Sequence, residues 1–98
     1  MTITKTQNGS AYTVAVAGRL DTMTAPQLEA ELNGVLGSAD SLTLDFSKLD
    51  YISSAGLRVL LSAHKVMSAK DGLTVTNVND IVQEVLDVTG FSDILNIE

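Results

Sequence analysis

The sequence contains no cysteine, a single histidine and a single proline among its 98 residues. Without cysteine, disulfides, thiolate metal sites and cysteine nucleophiles are excluded. A single histidine, His64, also excludes a multi-histidine metal site within the chain, so we predict neither a metal nor a cofactor. Only two tyrosines and two phenylalanines are present. The core is therefore expected to consist mainly of Val, Leu, Ile and Ala.

Positive charge is scarce as well. Six basic residues stand against 12 acidic ones, which gives a formal net charge of -6. The bases are scattered, and nucleic-acid binding, which needs clustered Lys and Arg, is not expected. No apolar run approaches the roughly 18 residues of a membrane helix, and the start of the chain has no apolar signal region. We therefore expect a cytoplasmic protein with no direct membrane insertion, whose acidic surface attracts basic patches of partners.

The chain does contain alternating strand and helix patterns. Residues 1–18 predict an antiparallel hairpin around an Asn-Gly turn, and residues 18–21 are expected to carry the chain out of the sheet. Further strands are predicted at residues 42–46 and 73–77, while residues 94–97 fit either a short strand or a tail. The expected fold is a single α/β domain over residues 1–98, with a mixed four- to five-stranded sheet and helices packed against it.

Three amphipathic helices are predicted from apolar residues at helical spacing. Thr24 and Gln27 fit a capping box at the start of the first helix. Lys70 is expected in the last turn of the second helix. Asn79 is expected to cap the third helix and Gly90 to follow its end, where a left-handed residue is common.

No arrangement typical of an enzyme is present. A Ser-His-Asp set would have to include His64, which by spacing shares the apolar stripe of the second helix; such a histidine is more often a border residue than a general base. Glu29 and Glu31 are two residues apart on a helix and point to different faces. Neither a dinucleotide fingerprint nor a phosphate-binding loop occurs. We predict no catalytic residue.

The most informative segment, residues 45–58, leaves a strand, crosses an expected loop and enters the second helix. In a structural interpretation, which composition alone favours, Ser53 or Ser54 is the helix N-cap and contributes about 1 kcal/mol. In a functional interpretation, a phosphate on a serine there meets free backbone N–H groups and the positive end of the helix dipole. It would add about -1.5 to -2 charges to a small surface and act on binding without unfolding the domain.

The sequence resembles the STAS domain, which is found in bacterial anti-sigma factor antagonists and in the tail of sulfate transporters. The resemblance extends from about Ile3 to Ile97 and rests on five segments in order. They are Gly-Arg-Leu-Asp at 18–21, the helix start with Pro26 and Leu28, Asp-Phe-Ser at 45–47, Tyr-Ile-Ser-Ser-Ala-Gly-Leu at 51–57, and Thr-Gly-Phe at 89–91.

The resemblance implies an antagonist that binds a serine kinase acting as the anti-sigma factor and so releases a sigma factor. Phosphorylation of a serine at the start of the second helix would end the binding, and a phosphatase would reset it. The candidate phosphorylation sites are Ser54 and Ser53. The implied partner-binding residues are Asp21, Ser53, Ser54 and Gly56, with Arg58 added by its position.

The sequence departs from the family pattern of Asp, Ser, Ser or Thr, and Gly. Ser53 stands at the Asp position and Ala55 at the second hydroxyl position, so the switch is retained at Ser54 only if the first hydroxyl is used. If the second is used, binding would be constitutive.

Two alternative functions remain. The first is a subunit of a membrane transport complex that docks on its ATPase. The second is a weak nucleotide-binding or hydrolysing enzyme, which would lack any phosphate loop.

Overall fold

The computed structural model describes residues 1–98 as five strands and three α-helices. The strands are β1 (Thr2–Asn8), β2 (Ala11–Leu20), β3 (Ser41–Ile52), β4 (Leu73–Thr76) and β5 (Asn96–Ile97). The helices are α1 (Ala25–Leu36), α2 (Ser54–Met67) and α3 (Asp80–Val88), and a short 3-10 helix covers Phe91–Asp93. None of the helices combines the length and the apolar character needed to cross a membrane.

The strands form one mixed sheet in the order β1-β2-β3-β4-β5. The hairpin pair β1 and β2 is antiparallel, and every other neighbouring pair is parallel. Each parallel connection contains one helix and moves one strand further in the same direction. Right-handed crossovers of this kind place all three helices on one face of the sheet. The predicted mixed α/β sheet is confirmed, and residues 96–97 form a fifth strand.

The core lies between that face and the helices. Alternate residues of the strands, among them Val14, Leu44 and Val75, are fully buried. Their counterparts on α1 and α2, such as Leu28 and Leu60, are also fully buried. The core contains no buried charged or polar residue, and Phe46 is its only fully buried aromatic side chain. Its composition is therefore the aliphatic one expected from the scarcity of aromatics.

Two strands extend further than their sequence patterns indicate. Residues 18–20 were expected to leave the sheet and residues 47–52 to form a loop, and both expectations are wrong. Gly18 pairs with Leu49, and Leu20 pairs with Ile52. The register shifts between Ala15 and Ala17 and again between Gly18 and Arg19. These bulge-like irregularities interrupt the alternation of buried and exposed residues and so hide the strands in the sequence.

The helix ends differ from the predictions at two of four places. Thr24 is the N-cap of α1 but makes no capping bond, because its hydroxyl oxygen accepts from the Asp21 N–H at 2.9 Å while its proton goes to the Arg19 carbonyl oxygen. Lys70 lies beyond the end of α2. The predictions for α3 are confirmed, since the Asn79 side chain accepts from the Val82 N–H at 2.8 Å. Gly90 follows α3 with a left-handed φ of 82°.

Lys70 caps a different helix from the one predicted. Its ammonium group donates to the carbonyl oxygen of Leu36, the last residue of α1, at 2.7 Å, and to that of Ala39, in the loop that follows, at 2.9 Å. A cation is favoured at this end of a helix, where carbonyl groups have no intrahelical partner. The contact joins residues more than 30 positions apart, so helical periodicity could not indicate it.

Candidate functional site

The candidate site lies where β2 and β3 end side by side and each leads into a helix. Leu20 and Ile52 are the last residues of the two strands and are paired in the parallel register. The Ser53 N–H then donates to the Leu20 carbonyl oxygen at 2.8 Å, one residue beyond the strands. This bond brings Asp21, at the start of the loop before α1, next to the two serines at the start of α2.

The two serines occupy different environments. Ser53 is the N-cap residue of α2 by position, but its side chain makes no capping bond, and its buried hydroxyl oxygen has no hydrogen-bond partner. The predicted capping bond is therefore absent. Ser54 is the first residue of the helix and is exposed. The first N–H groups of a helix have no intrahelical acceptor. The N-terminal end of α2 therefore keeps uncapped N–H donors beside the exposed hydroxyl group of Ser54.

Gly56 seats the start of α2 on the ends of the strands. A Cβ atom at this position would lie 2.6 Å from Leu20 Cγ and 2.9 Å from Ile52 Cγ1. Only a residue without a side chain allows this approach. Because Gly56 is buried, it has almost no surface to offer a partner. Its predicted part in binding is thus reduced to positioning the helix that presents Ser54.

Asp21 shapes the loop that faces the serines. Its Oδ1 atom accepts from the N–H of Met23 at 3.0 Å and of Thr24 at 3.2 Å. Loss of solvent alone would raise the pKa of Asp21, but these donors, the Thr24 hydroxyl and nearby Arg19 together hold it below its ordinary value. Arg19 in turn lies over the Tyr51 ring, 4.4 Å from its centre. The Asp21 carboxylate therefore holds the loop in place through the hydrogen bonds it accepts from the loop's own N–H groups.

A shallow groove of about 270 Å³ separates α1 from α2 beside Ser54. Arg58 and Ala55 line it on one side, and Glu29 and Pro26 on the other. Ser54 and Arg58 are four residues apart, so they share one face of α2. We call Asp21, Ser53, Ser54, Arg58 and this groove the switch surface.

Sequence analysis missed one residue of this region. Met23 is 87% exposed in the loop between β2 and α1, next to Asp21. Large apolar side chains left in the open on a loop are candidate contacts for a partner. The signal available in the sequence was a methionine among small polar residues, Thr22 and Thr24, where no core position was expected. No three His, Cys, Asp or Glu side chains lie together as a metal site would require.

The mixed five-stranded sheet with its helices on one face makes the chain an α/β domain in which the serines at the start of α2 stand beside two strand ends. A family model described as "Mlab, STAS domain" matches residues 3–96, and the chain belongs to this family.

Among curated proteins, the chain is 39% identical over 79 residues to BtrV of Bordetella bronchiseptica, which is named as a candidate anti-sigma factor antagonist. The match covers 79% of this chain and 68% of BtrV. It is 28% identical over 92 residues to the anti-sigma-B factor antagonist of Bacillus subtilis, covering 93% of this chain and 84% of that protein.

The fold matches the crystal structure of an anti-sigma factor antagonist from Mycobacterium paratuberculosis with a TM-score of 0.90 at 24% identity. That alignment covers 98% of this chain and 83% of the other. This structural match shows the fold. The STAS family model and the 39% identity to BtrV show that the chain is a member of the anti-sigma factor antagonist family, whose proteins are regulatory binding proteins and not enzymes.

Proposed function

We propose that this protein binds an anti-sigma factor with serine kinase activity through the switch surface, and that phosphorylation of Ser54 ends the binding. The observation that carries the proposal is the difference between the two serines. Ser54 is exposed at the first position of α2, whereas the Ser53 hydroxyl is buried. A kinase must reach the hydroxyl it modifies, so Ser54 is the acceptor that the geometry favours. The relatives' names, which include anti-sigma-B factor antagonist, support the class of partner.

A phosphate on Ser54 would find donors already in place. The uncapped N–H groups of α2 and the positive end of its dipole favour an anion at this position. Arg58, one turn further on the same face, is close enough by spacing to pair with it. The phosphate would therefore add negative charge to the switch surface and also occupy Arg58. Both changes act on a partner that has packed against a neutral serine, while the fold stays intact.

Asp21 and Met23 complete the proposed contact. The bonded Asp21 carboxylate holds the loop, and the loop carries the exposed Met23 side chain two residues from Asp21. An apolar anchor beside a polar rim is typical of the centre of a protein interface.

The proposed partners also imply a location for the protein. A sigma factor, the anti-sigma kinase that binds it and the phosphatase that resets the switch all act in the cytoplasm. We therefore propose that this protein acts in the cytoplasm as well.

The test compares serine variants at matched positions. Ser54→Asp should weaken binding to the cognate anti-sigma factor at least about 30-fold, because the added charge must be desolvated against a partner that packs on a neutral serine and also occupies Arg58, which together cost about 2 kcal/mol or more. Ser10→Asp adds the same charge at an exposed serine in the turn between β1 and β2, at the opposite end of β2 from the switch surface, and should bind like the wild type. Isothermal titration calorimetry gives both affinities. Equal loss in both variants would show that charge alone, and not position, weakens binding.

Phosphosite mapping on protein purified from its host separates the switch from constitutive binding. Condition-dependent phosphate on Ser54 is the expected result. Full occupancy of the partner with no phosphate at any stage would overturn the switch. It would instead favour a subunit that docks permanently, as in a transport complex bound to its ATPase.

A further inference from the structure

The negative charge of this protein is concentrated in one part of the chain. Residues 1–70 contain six acidic and six basic residues, while residues 71–98 contain six acidic residues and no Lys, Arg or His. The last part therefore carries the whole net charge of -6. The two ion pairs of the structure, Lys5 with Glu31 and Arg19 with Asp21, lie outside it. None of these six acidic residues is neutralised within the molecule.

The same part of the chain exposes apolar side chains. Ile81 is 60% exposed, Val88 80% and Ile94 45%, which makes three of the five exposed large apolar residues of the protein. Ile81 and Val88 are seven residues apart on α3, with half-buried Val85 between them, so they form one stripe about 10 Å long. The neighbouring face of α3, with Val82 and Leu86, is fully buried in the core, and Val85 packs against that core from the edge of the stripe. The exposed surfaces of Ile81 and Val88 therefore lie outside the face that holds the helix in place.

Four exposed acidic residues border the stripe: Asp80, Glu84, Asp87 and Asp93. Asp87 is fixed in position by hydrogen bonds from Gln83 and Ser92, which join the end of α3 to the 3-10 helix. Single exposed apolar residues are ordinary, but a row of them within a field of one sign is characteristic of a recognition surface. We call Ile81, Val85, Val88 and Ile94, with these four acids, the α3 surface.

The charge decides what can cover the α3 surface. A second copy of this chain would place its own six unpaired acidic residues against these six, and the like charges would repel. Nucleic acid and anionic lipid would be repelled for the same reason. A protein segment with apolar residues at the centre and Lys or Arg at the rim complements it in both respects. Since the stripe follows the spacing of one helix face, another helix can pack along it.

We propose that the α3 surface is a second docking site, which binds a basic amphipathic helix of a partner protein independently of Ser54. It shares no residue with the switch surface. A partner held there would stay bound when phosphorylation releases the protein bound at the switch surface. The proposal goes beyond the proposed function and does not depend on it.

A synthetic probe tests the chemistry directly. Two helical peptides of about 18 residues, long enough to form helix in water, carry Leu at the same i, i+4 and i+7 positions. One has Lys and Arg elsewhere on that face, and the other has Glu. Titration of the ¹⁵N-labelled full chain with the basic peptide should shift the amide resonances of residues 80–94. The acidic peptide should produce no shifts, and a saturable response to it would overturn the charge argument.

Variants of the protein separate specific docking from general attraction between opposite charges. Ile81→Ser with Val88→Ser leaves every charge in place and should weaken the basic peptide about tenfold. Val66→Ser, at a 43% exposed valine of α2, is the matched control and should change nothing. Ser54→Asp should bind the peptide as the wild type does. Unchanged binding by the double variant, or loss of binding in Ser54→Asp, would overturn the second site.

The same positions test the surface in the host. A photo-crosslinking residue at position 81 should join the chain to a segment of a partner that is rich in Lys and Arg, and one at position 66 should not. Crosslinks from position 81 only to acidic or neutral segments, or none at all, would count against the proposal. Because the α3 surface shares no residue with the switch surface, we expect the same crosslinks whether or not Ser54 is phosphorylated.

Discussion

Gly56→Ala tests how tightly α2 is seated on the strand ends that carry the switch surface. In an open helix position, Ala is favoured over Gly by up to about 1 kcal/mol. At Gly56 the new Cβ would lie 2.6 Å from Leu20 Cγ, about 1 Å inside the normal separation of two carbon atoms. Leu20 and Ile52 are 0% and 1% exposed and cannot move aside freely. Overpacking of this kind costs about 1–3 kcal/mol, and after the gain in helix propensity we expect a net destabilisation of about 1 kcal/mol.

Gly34→Ala is the matched control, since it makes the same chemical change in α1 where a Cβ would meet nothing within 4 Å. It should stabilise the protein by about 0.5–1 kcal/mol. For a domain of this size, 1 kcal/mol corresponds to about 4–8 °C in Tm, so the two variants should move Tm in opposite directions. Urea unfolding gives the free energies. Equal stabilisation by both substitutions would refute the close packing of Gly56.

Three further predictions concern the side chains around these elements. Ser53→Ala should leave the free energy of unfolding unchanged or raise it in urea titrations, because its buried hydroxyl makes no bond that could be lost, whereas Asn79→Ala should cost about 1–2 kcal/mol. A loss at Ser53 would mean that its hydroxyl is bonded. Lys70→Met should cost about 1–2 kcal/mol in the same assay, since two carbonyl groups at the end of α1 lose a charged donor; no change would mean that water replaces it. The Asn77 amide and the Ser47 N–H hold the pKa of Asp45 below its ordinary value. The stability this adds is present above the unfolded pKa and is lost as pH falls through the folded one, so the acid-induced decline below about pH 4 should be shallower in Asp45→Asn.

The fold class and the order of its elements follow from the sequence because the apolar residues repeat with clear periods. Val14 and Val16, or Leu42 and Leu44, alternate as a strand with one buried face requires. Where that pattern breaks, prediction fails. Ser47 and Lys48 are both exposed and interrupt β3, although the strand continues beyond them to Ile52. A register shift is a property of two paired strands, so one strand's sequence cannot reveal it.

Capping shows a similar limit. Thr24 has the residue type and spacing of a capping box. Its hydroxyl instead accepts from the Asp21 N–H and donates to the Arg19 carbonyl oxygen. Asn79 has no such competitor for its carbonyl oxygen and caps α3, while its amide group reaches the Leu49 carbonyl oxygen at 2.7 Å. A cap is therefore decided by which donors and acceptors the tertiary structure brings near. Sequence spacing only states which bond is available.

At the candidate site, residue types identified the serines but did not rank them, because both precede the same helix and both are good N-cap residues; the resemblance to the STAS family alone favoured Ser54. In the structure, the bond from the Ser53 N–H to the Leu20 carbonyl oxygen draws Ser53 against the strand ends and leaves Ser54 one residue further out. Gly56, packed on Leu20 and Ile52, holds α2 in that position. The packing of Gly56 on the strand ends fixes the start of α2, and the Ser54 side chain is exposed to solvent. A phosphate on Ser54 therefore has no packed side chain to displace. The proposed switch can then act through charge at the surface, which is the property a binding protein needs if it is to be released and used again.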